Sequence, residues 1–280
     1  MQRWALDSKR TSGKVALVPT MGFLHEGHVS LIRRARKSAG SAGKVIVSIY
    51  VNPTQFGADE DFSSYPRDLT KDLNICEREG VDVVFMPSDT SMYPDTTEKE
   101  YSTYVIESSL SPMMEGQSRP GHFKGVTTVV CKLFMLTLPD MAVFGAKDYQ
   151  QAAIIRRMTS NLNIPVKVIV APTIREKDGL AMSSRNVYLS MEERSQAPIL
   201  IQTLIEAKGI VRSSPEQSIL TTKIQSILKA RIRTKKLAKL DYIAFFDPDT
   251  LQPLDKVCKG SHMALAVYFG KTRLIDNIRL

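Results

Sequence analysis

Pro19-Thr20-Met21-Gly22-Phe23-Leu24-His25-Glu26-Gly27-His28 follows directly on the apolar run Val15-Ala16-Leu17-Val18. That run has the length and composition of a strand buried on both faces of a parallel sheet. Beyond the stretch the pattern changes. Leu31, Ile32 and Ala35 recur at helical spacing among Arg33, Arg34, Arg36 and Lys37, which predicts a helix beginning near Gly27 or His28. A strand, a glycine-containing turn and a helix N-terminus together offer unpaired backbone N–H groups and a positive dipole end to an anion. Gly22 and Gly27 permit a tight turn and a close backbone approach. His25 and His28, three residues apart, can converge on one side of such a turn and donate to phosphate oxygens. The same spacing would also suit a metal pair or two surface histidines. No further cluster of Cys, His or carboxylate residues lies close by in the sequence to complete a metal site.

Outward from this stretch, strands and helices alternate. Lys44–Val51 reads as a second buried strand stopped by Asn52-Pro53, followed by a polar loop through Gln55 to Arg67. A helix is expected from about Asp68 to Glu79, then a third strand at Val81–Phe85. The stretch Gly116–Phe123 is too polar for a buried element and reads as a lid or a long connection. Gly125–Leu138 gives an apolar helix, Met141–Gly145 a fourth strand and Val166–Val170 a fifth. Such alternation predicts an α/β fold, a Rossmann-like doubly wound parallel sheet, with ligands held outside the carboxyl ends of its strands. His25, His28 and Gln55 then share one crevice if the first two strands are neighbours.

Two more constellations fit that scheme. Gly145-Ala146-Lys147-Asp148-Tyr149-Gln150-Gln151 begins at a strand's carboxyl end, with Lys147 as a flexible point charge for phosphate and Asp148 as a helix cap or the holder of a metal-bound water. Gln151 faces the same side one turn on. Taken alone, Lys147 reads as a solvated loop lysine. After Pro172, Ile174–Asn186 includes Ser183-Ser184-Arg185, two hydroxyls and a guanidinium suited to wrapping a polyphosphate, with Gly179 to let the loop move. The remainder predicts helices to about Val211 and over roughly Pro215–Ala230, then strands at Asp241–Phe246, His262–Phe269 and Thr272–Ile275. This divides the chain into residues 1–171 and a smaller α+β domain, 172–280.

The 280 residues are 43% hydrophobic and 24% charged, ordinary for a globular protein. No apolar run approaches the ~20 residues of a membrane span, and Met1–Lys14 is polar with no apolar centre of a secretory signal. The first strand arrives within fifteen residues, an abrupt start that is also expected of a chain lacking an earlier segment. Three separated cysteines, Cys76, Cys131 and Cys258, fit a reducing compartment, hence the cytoplasm, with Cys131 as a core residue. The net charge of +9 is uneven: residues 1–171 carry 20 Lys/Arg and 18 Asp/Glu, and residues 172–280 carry 18 and 11. A basic half points to an anionic partner, either a nucleotide or a nucleic acid. The densest run, Lys229–Lys239, lacks interleaved aromatics for stacking on bases and reads as a solvated helix face.

His-x-Gly-His at the start of the first helix after a strand resembles the signature of adenylate-forming and nucleotidyl-transferring enzymes. The whole string Pro19–His28 resembles the opening of the pantothenate synthetase family. So do Tyr50–Phe56, Tyr65–Arg67, Arg119–Phe123, Gly125–Val129, Lys132–Phe134, Phe144–Gln151 and Asp178–Asn186, in that order along nearly the entire chain. The resemblance implies an enzyme that joins pantoate to β-alanine with ATP through a pantoyl adenylate, releasing pyrophosphate and then AMP. It implies an ATP site lined by Pro19, Thr20, Met21, Gly22, Phe23, Leu24, His25, Glu26, Gly27 and His28, by Gly145, Ala146, Lys147 and Asp148, and by Ile174, Met182, Ser183, Ser184 and Arg185. His28 is its usual catalytic histidine, supported by His25, Lys147 and Arg185. Gln55 and Gln151 hold pantoate, and Gln55 also meets β-alanine. Mg²⁺ is expected to arrive with ATP, bound mainly through phosphate oxygens and waters with few dedicated protein ligands; the resemblance further implies that residues 172–280 serve as a lid and that the chain pairs as a homodimer.

Three departures from the family's pattern stand out. Ala146 replaces a charged or longer residue, Met135 replaces the asparagine usual after Lys-Leu-Phe, and the family's earliest residues are missing, which predicts a weaker edge to the first strand. Two other classes compete: a nucleotidyltransferase that passes AMP to a phosphate, which has no need of the paired glutamines or Arg119–Phe123, and a nucleic-acid-binding protein relying on the basic tail. A tRNA synthetase is weaker still, because the tail has no zinc site or RNA-binding motif.

Overall fold

The computed structural model describes residues 1–11, 13–58, 60–94, 101–214 and 217–280. The chain divides into two compact units, one of residues Met1–Ala146 with Gln150–Pro172, the other of Lys147–Tyr149 with Thr173–Leu280.

In chain order the first unit runs α1 (Gln2–Thr11), β1 (Val15–Thr20), α2 (Glu26–Ala39), β2 (Lys44–Ile49), α3 (Leu69–Arg78), β3 (Val83–Phe85), α4 (Asp89–Met92), α5 (Glu115–Ser118), α6 (His122–Thr137), β4 (Met141–Gly145), α7 (Tyr149–Asn161) and β5 (Lys167–Ala171). The strands form one sheet in the order β3-β2-β1-β4-β5, and every pairing is parallel. Val15, Ala16, Leu17 and Val18 are fully buried, as their unbroken apolar run requires of a central strand covered on both faces. The order reverses between β1 and β4, which places a switch-point crevice at their carboxyl ends. β1 lies beside β2 with Thr20 opposite Ile49, so the loops after these two strands are neighbours. The core on one face joins Val29, Ile32 and Ala35 of α2 to alternate residues of β1, β2 and β4.

The remaining elements are α8 (Met191–Gln196), α9 (Ile199–Ser213), β6 (Ile219–Leu220), α10 (Thr221–Arg233), β7 (Ala238–Phe246), β8 (Lys256–Val257), β9 (His262–Phe269) and β10 (Thr272–Arg279). In the second unit β10, β9 and β7 form an antiparallel sheet. Its core gathers Leu200, Leu204 and Val211 of α9, Ile224, Leu228 and Ile232 of α10, and Leu265, Val267 and Phe269 of β9.

Several sequence expectations need correcting. Met1–Lys14 contains α1, which turns Ala5 and Ser8 inward; side chains this small and polar make no apolar face to read. Gln2 Nε2 donates to the Met135 carbonyl at 2.9 Å, and Met135 itself is exposed. The first strand has no weak edge, because β1 is paired on both sides. The polar stretch Gly116–Phe123 is not a solvent-facing connection throughout: α6 begins at His122, and both His122 and Phe123 are buried. Polar groups here are covered because they bond to one another. Cys131 is half-buried and Cys76 is the core cysteine. The Lys229–Lys239 run is not one helix face. α10 ends at Arg233 with Ile232 inward, Arg231 pairs with Glu206 at 3.0 Å, and the run continues into β7. The predicted start of that helix at Pro215 lies outside the described residues.

Candidate active site

In the first unit the loop after β1 is held from below by a carboxylate. Asp72 of α3, 2% exposed, accepts from the backbone N–H of Phe23 at 2.8 Å and of Leu24 at 2.7 Å. Burial raises the Asp72 carboxyl above its ordinary range, against the pull of those two N–H groups. The clamp holds two consecutive residues in left-handed backbone, Gly22 at φ +81° and Phe23 at φ +51°. A Cβ on Gly22 would lie 3.0 Å from both an Asp72 oxygen and Ile49, so glycine is required for space as well as for φ. Thr20 Oγ1 donates to the Ser48 carbonyl at 2.7 Å and accepts from Gly22 N–H at 3.2 Å, which closes the turn onto β2.

The turn delivers His25 to the N-cap of α2, one residue earlier than the sequence suggests. His25 Nδ1 accepts from Gly27 N–H at 3.1 Å, and His28 Nδ1 accepts from His25 N–H at 3.3 Å. The two rings therefore cap the helix reciprocally, with centroids 4.1 Å apart. A ring that accepts at Nδ1 carries its proton at Nε2, so both imidazoles are set as Nε2–H donors beside the helix's positive end. Among the described residues no group of three or more His, Cys, Asp or Glu could hold a metal ion, so the metal-pair alternative finds no completing ligands.

Gln55 ends a single turn of 3₁₀ helix after β2. Its Nε2 lies 3.0 Å from Met21 Sδ, which brings the loops after β1 and β2 together as the strand order requires. Asn52 Nδ2 donates to Gln55 Oε1 at 3.2 Å and to the Gly125 carbonyl at 3.2 Å, while Asn52 Oδ1 accepts from Tyr93 Oη at 2.8 Å. The Gln55 backbone is fixed separately: its carbonyl accepts from His122 Nδ1 at 2.9 Å. Arg119 Nη1 donates to His122 Nε2 at 3.2 Å, and Arg119 pairs through Nε and Nη2 with Glu60 at 2.7 and 2.5 Å. Burial first, then the neighbouring guanidinium, hold His122 down at about 4, so it is neutral at neutral pH with its proton on Nδ1. Burial works against the Glu60 carboxylate, but Arg119 holds it below its ordinary range. α6 presses directly on Gln55: a Cβ on Gly125 would come within 2.6 Å of the Gln55 backbone.

The adjacent glutamines at the start of α7 separate into two kinds. Gln150 is buried, donating to the carbonyls of Leu110 and Met113 and accepting from Glu115 N–H. Gln151 is half-buried and has no such backbone ties among the described residues.

In the second unit Lys147 Nζ lies 3.4 Å from Asp148 Oδ1. Ile174 and Met182 face each other across a short hairpin, Met182 N–H donating to the Ile174 carbonyl at 3.0 Å. The turn of that hairpin is tied, not loose. Gly179 N–H donates to the Glu176 carbonyl at 2.9 Å, and Arg175 Nη1 holds the Gly179 carbonyl at 3.0 Å. Gly179 adopts a φ of +90°, which favours glycine at this turn. Ser183 Oγ accepts from Arg185 N–H at 3.3 Å as the cap of the turn over Ser184–Tyr188; Ser184 is buried and Arg185 half-buried.

Sequence reasoning selected the loop histidines and Gln55 but missed their supports, Asp72, Asn52 and Tyr93, and gave Glu60 and His122 no role. Asp72 lies 49 positions from the loop it holds, among Thr70, Lys71 and Asn74, and reads there as part of a solvated helix face.

The fold and these loops define an α/β protein of the nucleotide-binding, strand-end type. The chain matches the Pantoate-beta-alanine ligase family over residues 1–279, and it belongs to that family. It is 47% identical over 277 residues to the pantothenate synthetase of Syntrophotalea carbinolica, covering 99% of this chain and 94% of that protein. The pantothenate synthetase of Heliobacterium modesticaldum is 48% identical over 278 residues, with 99% and 95% covered. The crystal structure of the Thermus thermophilus pantoate-beta-alanine enzyme superposes with a TM-score of 0.88 at 40% identity, over 98% of this chain and 97% of that one. The Francisella tularensis pantoate-beta-alanine ligase, complexed with beta-gamma ATP and beta-alanine, gives 0.74 at 36% identity over 95% and 90%.

Replacing Asp72 with Asn leaves one acceptor for two N–H donors and turns an amide N–H toward the other, so Asp72→Asn is expected to lower unfolding free energy by roughly 2 kcal/mol. Urea denaturation reads this, and an unchanged midpoint would mean the clamp contributes nothing. His122 adds a pH dependence. Below 6.5 the unfolded chain takes up a proton that the folded ring refuses until about 4, so stability falls as pH drops across that window, by roughly 3 kcal/mol in all. Denaturation curves between pH 7 and 4 should show this fall, flattened in His122→Gln.

Proposed function

We infer that this protein catalyses the ATP-dependent ligation of pantoate to β-alanine. A pantoate carboxylate oxygen forms a bond to the α-phosphorus of ATP as the bond to pyrophosphate breaks. The β-alanine amine then bonds to the acyl carbon of the pantoyl adenylate, and AMP leaves with the electron pair of the acyl C–O bond. One observation carries the reading: two histidines that cap each other through Nδ1 at a helix N-terminus after β1, with Gln55 of the loop after β2 against Met21 of the same turn, in a chain of this family.

The site assignments follow from the chemistry each residue can supply. Negative charge builds on phosphate oxygens in the first step. His28 and His25 donate to them through Nε2 at the positive end of α2, without any covalent enzyme intermediate. Lys147 and Arg185 supply positive charge, and Asp148, Ile174 and Met182–Ser184 complete the nucleotide contacts. Gln55 and Gln151 orient the hydroxyl and carboxylate groups of pantoate without adding a charge that would retain pyrophosphate. Gln55 also meets β-alanine, whose amine attacks as the free base. ATP enters as its Mg²⁺ complex. The cation would be held mainly through phosphate oxygens and water, with few protein ligands.

Residues 1–171 are then the nucleotide- and pantoate-binding domain and 172–280 the smaller C-terminal domain. The cysteines are free, in keeping with a reducing, cytoplasmic setting. Among the described residues no helix is long and apolar enough to cross a membrane. A homodimer is proposed on the family resemblance.

Purified protein with ATP, Mg²⁺ and pantoate should release pyrophosphate, with AMP and pantothenate appearing only when β-alanine is added. His28→Ala should lower the pyrophosphate rate by about 10²-fold or more. Folded protein that ignores pantoate but adenylates another acceptor would remove the assignment.

A further inference from the structure

Within the second unit, neighbouring residues of β10 hold two segments that carry candidate phosphate-binding residues. Asp276, 2% exposed, accepts from Arg175 Nη1 at 2.6 Å and Nη2 at 3.0 Å. Arg175 also reaches the Gly179 carbonyl, so this pair secures the hairpin bearing Ile174 and Met182. Asn277, the next residue, turns to the other segment: its Nδ2 donates to the Lys147 carbonyl at 2.8 Å. Its Oδ1 lies 2.9 Å from His262 Nε2.

The chemistry fixes every proton in this chain of contacts. A backbone carbonyl only accepts, so the amide nitrogen of Asn277 must face Lys147 and its oxygen must face His262. His262 Nε2 therefore carries a proton and donates it. In the neutral ring, Nδ1 is then a bare lone pair, and it is buried without a hydrogen-bond partner among the described residues. Burial lowers the pKa of His262, against the pull of its bond to Asn277. The His262 ring also stacks on Tyr149, two residues after Lys147, at a centroid distance of 3.9 Å and an interplanar angle of 24°. Tyr149 Oη donates to the Pro248 carbonyl at 2.8 Å. The segment Lys147–Tyr149 is thus held at its first residue by a hydrogen bond and at its last by a ring stack.

A buried acceptor with no donor destabilises a folded chain. A phenylalanine at position 262 would keep an aromatic ring against Tyr149 and remove the unpaired Nδ1, but it would leave Asn277 Oδ1 as the buried acceptor that lacks this donor. What it could not do is donate to Asn277. We propose that Asn277, oriented by His262, is a positioning residue for Lys147, fixing the backbone from which the lysine reaches phosphate. The proposal rests on the reading that Lys147 binds phosphate in the adenylation step.

Removing the donor alone is the most telling change. In His262→Phe the thermal midpoint should stay close to that of the unaltered protein, one buried acceptor short of a donor being exchanged for another, while kcat for pantoate-dependent pyrophosphate release falls about fivefold. Asn277→Ala should lower kcat about tenfold or more, and both losses should shrink to under about twofold when introduced into Lys147→Ala. A His262→Phe protein with full kcat would overturn the proposal. So would one that melts lower and loses activity in proportion, since that would make His262 structural. Losses that multiply undiminished onto Lys147→Ala would overturn the positioning role while leaving the lysine's role intact. If Lys147→Ala alone kept full activity, the phosphate reading of Lys147 would fall and the proposal with it. Should Asn277→Ala not fold, His262→Phe with and without Lys147→Ala still decides.

Discussion

Two hydrogen bonds from the Phe23 and Leu24 backbone to the buried Asp72 carboxylate set the geometry on which the first unit's site depends. A turn with two successive left-handed residues is strained for Phe23 and does not persist without over-determination from outside. Asp72 supplies that from α3, and Thr20 supplies it from β1. With the turn fixed, His25 falls at the N-cap of α2, and the reciprocal capping with His28 follows from ordinary helix chemistry. The ring tautomers are then a consequence of backbone geometry.

The same logic recurs with different groups. Gln55 is not aimed by its own turn alone. Asn52 holds its side chain, His122 holds its carbonyl, and α6 leaves no room for a Cβ at Gly125. His122 in turn is kept neutral by burial beside an Arg119 already paired with Glu60. In the second unit Asn277 and Asp276 serve Lys147 and the Ile174–Met182 hairpin. In each case the candidate ligand-binding group is a half-buried side chain, and its support is a more deeply buried polar residue. Such supports spend their hydrogen bonds largely on the segments they hold, which is how polar groups remain in the interior at tolerable cost.

This division explains what the sequence made legible. The parallel sheet was readable because β1, β2 and β4 are unbroken apolar runs, and burial on both faces demands that pattern. The loop histidines were readable because strand, glycine and helix start are local signals. The supports were not, because a buried Asp72 and a solvated aspartate look alike until the partner loop is known. α1 escaped for the opposite reason: its inward residues, Ala5 and Ser8, are too small to mark a face. Gly179 stood out by its residue type, and its φ of +90° became visible only in the fold. The stretch Gly116–Phe123 misled because its polarity is consumed internally by the Glu60–Arg119–His122 network.

The central claim is that carboxylate oxygen attacks the α-phosphorus, so that an acyl adenylate lies between the substrates and the amide. Pantoate carrying ¹⁸O in both carboxylate oxygens, turned over with ATP and β-alanine and followed by mass spectrometry of the products, tests it most directly. One ¹⁸O should appear in AMP and the other remain in the amide carbonyl of pantothenate. Label in pyrophosphate or inorganic phosphate, with none in AMP, would place the attack at another phosphorus and contradict the account.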